Sequence, residues 1–189
     1  MLQSKLFYKT KKNKTTDTES ISHDLLIRAG FIDQLMAGVY TFLPLGLKVL
    51  KNIENIIRQN MKQSPANGQE VLMSVLQPKE NWQKTGRWER LDILFKIKGK
   101  SNTEYALGPT HEEVVSPLAK KNIFSYKDLP ISLFQIQTKF RDELRVKSGI
   151  LRTREFLMKD MYSFHTTEED LDKYYEKMIK VYLNIFKEC

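Results

Sequence analysis

The stretch FQIQTKFRDE, residues 134–143, followed after a loop by RTREFLMKDMY, residues 152–162, decides how this chain folds. Each run alternates, and in a strand successive side chains point to opposite faces of the sheet. In the first run Phe134, Ile136, Thr138 and Phe140 share one face, and Gln135, Gln137, Lys139, Arg141 and Glu143 share the other. In the second run Arg152, Arg154, Phe156, Met158, Asp160 and Tyr162 share a face. An antiparallel hairpin across the loop at residues 144–150 brings the two polar faces side by side. Residues 139–159 hold seven basic and three acidic side chains, so the shared face is cationic.

Several arginines converging beside Phe156 describe a nucleotide site, because guanidinium forks grip phosphate oxygens and a ring stacks on a base. The plain alternative is a solvated sheet face held by cross-strand arginine–glutamate pairs. Alternation does not choose between them.

Working outward, residues 126–130 read as a turn and residues 111–121 as a helix that Pro117 can kink or split. Residues 94–97 and 104–107 read as short strands, and Pro78 opens a short helix through Trp82 toward Gly86. EVLMSVL, residues 70–76, reads as a buried strand. Residues 64–68 form a turn that closes an amphipathic helix over 47–62. One face of that helix carries Val49, Leu50, Ile53, Ile56, Ile57 and Met61. Before it lies a loop-rich apolar stretch, 37–44, and a short helix capped near Ser22 that ends at Gly30. Downstream, Thr166 and Glu169 read as a capping box. The helix behind it has Leu171, Tyr175, Met178, Tyr182 and Ile185 as its apolar stripe. Together these predict an α+β fold, an antiparallel sheet flanked by helices. Residues 1–20 are expected to be a basic leader, mobile or strand-like over 9–18, and residues 21–189 the domain.

Composition sets the outer limits. The chain has 189 residues, 41% of them hydrophobic, enough for one domain with a core. Its net charge of +8 favours polyanionic partners: nucleotide phosphates, RNA or an acidic membrane surface. The single cysteine, Cys189, leaves no internal disulfide and no cysteine pair for zinc. With three histidines, His23, His111 and His165, a metal centre is not expected. No apolar run approaches a membrane span, and the leader lacks both a secretory core and the arginines of a transit peptide. A cytoplasmic location is the expectation.

Phe140-Arg141-Asp142-Glu143, a loop, and Arg152-Thr153-Arg154-Glu155-Phe156 resemble motif 2 of the class II aminoacyl-tRNA synthetases. Residues 38–44 with the helix after them resemble motif 1, whose proline and helix build the dimer interface in that family. Residues 107–113, LGPTHEE, resemble the amino-acid loop of the prolyl-tRNA synthetases, and 134–143 with 151–165 are similar to the bacterial type. The resemblance covers the chain from about Ser20 onward and implies the class II catalytic fold, incomplete at its C-terminus.

The resemblance also implies roles. Arg141 would contact the ATP α-phosphate and the amino acid carboxylate, as the catalytic arginine. Glu143 would accept from the adenine amino group, Phe156 would stack on adenine, and Arg152 would lie near the γ-phosphate. Arg154 is either part of that set or a structural partner of Glu143 or Glu155. Thr110 and Glu112 would hold the prolyl ammonium, a secondary amine with two donors that needs two acceptors. Taken alone, those two residues read as a helix cap. Met158, Asp160 and Tyr162 would line the proline pocket, with Met158 equally readable as core. Arg145 and Lys147 would lie near the acceptor end of tRNA. The implied cofactors are ATP and Mg2+, the metal's protein ligand lying outside this chain. The implied partners are proline, tRNA(Pro) and a second copy, bound through Pro44 and helix 47–62, with no membrane.

Within class II, a threonyl-type site would place a zinc-ligating cysteine where this chain has Gly108. A seryl-type site shares the Thr-x-Glu loop but fits residues 140–165 less well. The glycine-rich motif 3 of the family is not found, so the chain alone is expected to be inactive. A non-catalytic dimerising or RNA-binding module is the second reading.

Overall fold

A computed structural model describes residues 2–13 and 20–189. The hairpin is its spine. A ten-residue strand, Ile131–Phe140, pairs antiparallel with another, Glu155–Phe164, in the register Gln135↔Asp160, Gln137↔Met158 and Lys139↔Phe156. The predicted faces therefore meet as expected. In chain order the strands are β1 (Ile32–Met36), β2 (Val39–Phe42), β3 (Gln69–Glu70), β4 (Leu76–Pro78), β5 (Phe95–Lys98), β6 (Glu104–Leu107), and these two, β7 and β8. The α-helices are α1 (Ile21–Arg28), α2 (Pro44–Lys62), α3 (Lys79–Lys84), α4 (Arg87–Arg90), α5 (Glu112–Asn122) and α6 (Glu168–Glu188). Among the described residues three sheets result: β1-β2, β3-β7-β8 and β4-β6-β5. Every pairing is antiparallel except β3 with β7.

The main core lies between the back of the hairpin, α2 and α6. Met61, Ala66, Phe134, Met178, Val181 and Ile185 are buried there, with Ile57, Met161 and Tyr174 packed against them. A second cluster, Trp82, Trp88, Leu94 and Ala106, joins α3 and α4 to the β4-β6-β5 sheet.

Several local expectations shift. The stretch read as an apolar loop includes β2, half of a hairpin with β1. α1 is capped by Ser20, whose side chain accepts from His23 N, so the helix starts before the expected Ser22. α2 starts at Pro44, where a missing N–H costs nothing in the first turn. The long helix is capped by Thr167 accepting from Asp170 N, one residue past the predicted box. Its buried stripe is Met178, Val181 and Ile185, with Tyr174 half-buried beside it, while Leu171, Tyr175 and Tyr182 of the predicted stripe are exposed. Pro117 sits inside an unbroken α5.

Residues 71–75 are not strand. Side chains of β7 hold them instead: Met73 N donates to Gln135 Oε1 at 3.0 Å, and Gln137 Nε2 donates to Met73 O at 2.9 Å. Leader residues 14–18 lie outside the described residues. The described part before them packs onto α1, with Lys11 N donating to Arg28 O at 2.9 Å. Among the described residues no helix is long and apolar enough to cross a membrane.

Candidate active site

The site forms where the end of β7 meets the loop between β6 and α5. Phe140 N donates to Gly108 O at 3.2 Å. The Arg141 guanidinium donates through Nε and Nη2 to Pro109 O at 3.4 and 3.3 Å. From below, the buried Gln77 side chain donates to Thr110 O at 3.0 Å. At the rim, the Thr110 hydroxyl donates to the Glu112 carboxylate, which stands exposed in the first turn of α5. Thr110, Glu112 and Arg141 thus gather around one loop. A Cβ on Gly108 would lie 2.4 Å from Gln77 Nε2 and 3.2 Å from His111 Cε1. At the position that a threonyl-type site gives to a cysteine, a side chain would have to displace the Gln77 amide that holds Thr110 O.

Beneath the loop lies a buried polar network. Lys139 is fully buried, with Nζ 2.6 Å from His111 Nδ1 and 2.8 Å from Asp160 Oδ1. Asp160 Oδ2 accepts from Gln135 Nε2 at 2.9 Å and from the Tyr162 hydroxyl at 2.7 Å. That hydroxyl in turn accepts from His111 N at 3.2 Å. His111 Nε2 lies 3.2 Å from Ser74 O. Burial pushes the His111 pKa down, and the Lys139 charge pushes it the same way. Burial also lowers Lys139, opposed by Asp160, and burial raises Tyr162. Asp160 and Tyr162 therefore form the floor of the site, their polar atoms engaged with the protein.

On the other flank, the Arg141 guanidinium lies over Phe156, 5.3 Å from the ring centroid. Arg152 donates through Nε and Nη2 to a single oxygen of Glu143, at 2.9 and 2.6 Å. Arg154 turns the other way. It donates to the Glu143 carbonyl at 3.2 and 3.0 Å and to Ala37 O at 2.9 Å, while its own N–H donates to Gly38 O at 2.8 Å. Of its two predicted roles, the geometry matches the structural partner of Glu143, through the carbonyl rather than the carboxylate. Gly38, with φ +76°, lets the β1–β2 turn approach; a Cβ there would meet Val146 at 2.4 Å.

Arg145 and Lys147 are exposed on the loop between the strands. Lys147 and Arg152 exchange backbone hydrogen bonds of 3.4 and 3.3 Å across its base. Met158 is half-buried, opposite Gln137. Among the described residues no group of three or more His, Cys, Asp or Glu side chains converges on a common point. The residues present do not form a carboxylate cluster for magnesium.

Sequence reasoning left Lys139, His111 and Gln135 without roles. Alternation placed Lys139, Gln135 and Asp160 on adjoining faces, and that was the available signal. It could not show that the loop at 108–112 folds over them.

Arginines carried on an antiparallel hairpin beside an aromatic ring, Arg141 over Phe156 and Arg152 against Glu143, match the class II arrangement that the sequence resemblance implies. A family model described as "tRNA synthetase class II core domain (G, H, P, S and T)" matches residues 95–189. The chain belongs to that family. It is 53% identical over 189 residues to a proline–tRNA ligase of Sulfurihydrogenibium sp. and 51% identical over 190 residues to one of Bacillus cytotoxicus. All of this chain is covered in both matches, and 33% of each relative, so the chain spans about a third of their length. Among solved structures, a Giardia lamblia prolyl-tRNA synthetase in complex with prolyl-adenylate superposes with a TM-score of 0.79 at 23% identity, covering 87% of this chain and 34% of that one. A Cryptosporidium parvum prolyl-tRNA synthetase complexed with L-proline and AMP gives 0.77 at 21%, covering 88% and 34%. At those identities the likeness shows the fold.

Proposed function

We propose that this chain supplies the proline-binding loop and the adenine-binding hairpin of a proline–tRNA ligase. The observation that carries the reading is the meeting of Thr110, Glu112 and Arg141 around one loop, beside Phe156. Glu112 and Thr110 offer two acceptors to the two N–H donors of a prolyl ammonium. Arg141 lies between that loop and Phe156, where one guanidinium can face both the proline carboxylate and the ATP α-phosphate.

In the proposed reaction a proline carboxylate oxygen attacks the α-phosphorus, pyrophosphate leaves, and prolyl-adenylate forms. A terminal ribose hydroxyl of tRNA(Pro) then attacks the acyl carbon and AMP leaves. No covalent enzyme intermediate is needed. The protein contributes position and charge neutralisation. Arg141 offsets the charge that develops at the α-phosphate. Phe156 stacks on adenine, Glu143 accepts from its amino group, and Arg152 swings from Glu143 toward the γ-phosphate. Met158, Asp160 and Tyr162 shape the proline pocket from its floor. Arg145 and Lys147 neutralise phosphates at the tRNA acceptor end. Magnesium, when bound, would supply further charge neutralisation on the phosphates.

Leu45, Leu47, Val49 and Ile53 on and beside the first turns of α2 are exposed, which supports a homodimer through Pro44 and this helix. We place the protein in the cytoplasm, with residues 1–20 as its leader and 21–189 as part of the catalytic domain. The test is a chimaera in which this chain replaces the matching third of the Sulfurihydrogenibium ligase. Proline-dependent exchange of pyrophosphate into ATP is expected, and Arg141→Ala is expected to lower it by roughly 100-fold or more. Full exchange in the Arg141→Ala chimaera would remove Arg141 from the reaction.

A further inference from the structure

Lys139 has no exposed surface, so it touches no ligand, yet its ammonium sits under the one residue that separates Thr110 from Glu112. We propose that Lys139 is a positioning residue: by holding His111 and Asp160 together beneath the amino-acid loop, it fixes Thr110 and Glu112 in the geometry that receives proline. The inference rests on the functional reading above and adds to it a residue and a device.

His111 is anchored at three points. An ammonium can only donate, so the ring nitrogen facing Lys139, Nδ1, must carry the lone pair. A carbonyl can only accept, so the nitrogen facing Ser74 O, Nε2, must carry the proton. The two partners demand the same neutral tautomer. The third anchor is the backbone, where His111 N donates to the Tyr162 hydroxyl. Thr110 and Glu112 flank a residue that can neither rotate nor flip its ring.

The choice of lysine follows. An amide or hydroxyl at position 139 could also accept, and would admit a doubly protonated ring as well as the neutral one. The buried charge is matched by Asp160 Oδ1, while Gln135 and Tyr162 engage the other carboxylate oxygen. A buried polar network with its members satisfied is rigid, and removal of one partner leaves a charge uncompensated.

The experiment uses the 189-residue chain. Nitrogen-15 NMR of its histidines reports the His111 tautomer, and calorimetry reports affinity for ATP alone and for a prolyl-sulfamoyl adenosine, a stable adenylate analogue. In the wild-type chain at neutral pH, His111 is expected as the Nε2–H tautomer. Lys139→Met is expected to weaken the analogue by about 100-fold, as for a small misplacement of a binding group, while ATP alone changes less than about 3-fold. If Lys139→Met does not fold, Lys139→Arg takes its place: the charge on Asp160 stays, the longer fork displaces His111, and the same split is expected. An Nδ1–H or doubly protonated His111 in the wild type overturns the proposal. So does a folded variant that binds the analogue like wild type, or one that loses ATP and analogue equally. A wild-type chain that binds ATP but no prolyl compound contradicts the functional reading instead. The tautomer then decides the lock alone, Nε2–H upholding it and Nδ1–H overturning it.

Discussion

The Arg141 guanidinium lies 5.3 Å from the Phe156 ring centroid, and β7 and β8 fix that distance through the neighbouring pair Lys139↔Phe156. One element, two strands joined by the connection 141–154, thus sets a cation against an aromatic ring, the pairing that the proposed nucleotide site uses. The relationship makes Phe156 separable from Arg141. Base–aromatic stacking is worth roughly 1–3 kcal/mol. Phe156→Ala in the chimaera should therefore raise the KM for ATP by about 10-fold or more while the KM for proline stays near wild type. A change confined to proline would contradict the stacking role.

Arg154 makes a different prediction. It ties the Glu143 carbonyl to the turn at Ala37 and Gly38, so it braces the hairpin's loop end against the β1–β2 turn. Charged hydrogen bonds of this kind contribute roughly 1.5–3 kcal/mol. Arg154→Gln should lower the urea midpoint of the chain accordingly, without changing the denaturant slope. A midpoint equal to wild type would show that the brace contributes nothing.

The acid side of the stability curve reads the buried histidine. Burial first, and then Lys139, hold His111 below its ordinary value. The other groups around the ring are Asp160, Glu112 and Tyr162. In the unfolded chain a histidine takes up its proton near pH ~6.5, whereas folded His111 resists until lower pH. Between the two values the unfolded state binds more protons. This group's contribution is therefore present above about pH 6.5 and lost as pH falls through the depressed folded value. Thermal melts from pH 8 to 5 should fall more steeply for wild type than for His111→Gln. Parallel curves would contradict a neutral, buried His111.

The hairpin was legible because period-two alternation over ten residues leaves few other structures, and the register places the predicted faces together. The loop–strand meeting at Thr110, Glu112 and Arg141 followed from resemblance; spacing alone gives only a capped helix there. What stayed hidden was decided at long range. Lys139 read as one charge on a polar face, and it became buried because residues far upstream in the chain fold over it. Residues 71–75 have a strand's apolar composition. Gln135 and Gln137 take over their hydrogen bonds, and no local pattern records a side chain bonding a distant backbone. The shifts at Ser20 and Thr167 are of another kind: Ser20 and Ser22 both stand at the start of α1, and Thr166 and Thr167 both precede α6, so composition cannot choose which one caps.

The central claim is that this segment activates proline. Its most direct test is ATP–pyrophosphate exchange by the chimaera, measured with proline, threonine and serine in turn. Exchange should depend on proline alone, fall by roughly 100-fold or more with Arg141→Ala, and weaken through the proline KM with Glu112→Gln. Exchange supported by threonine or serine, or proline-dependent exchange that survives Arg141→Ala undiminished, would contradict the account.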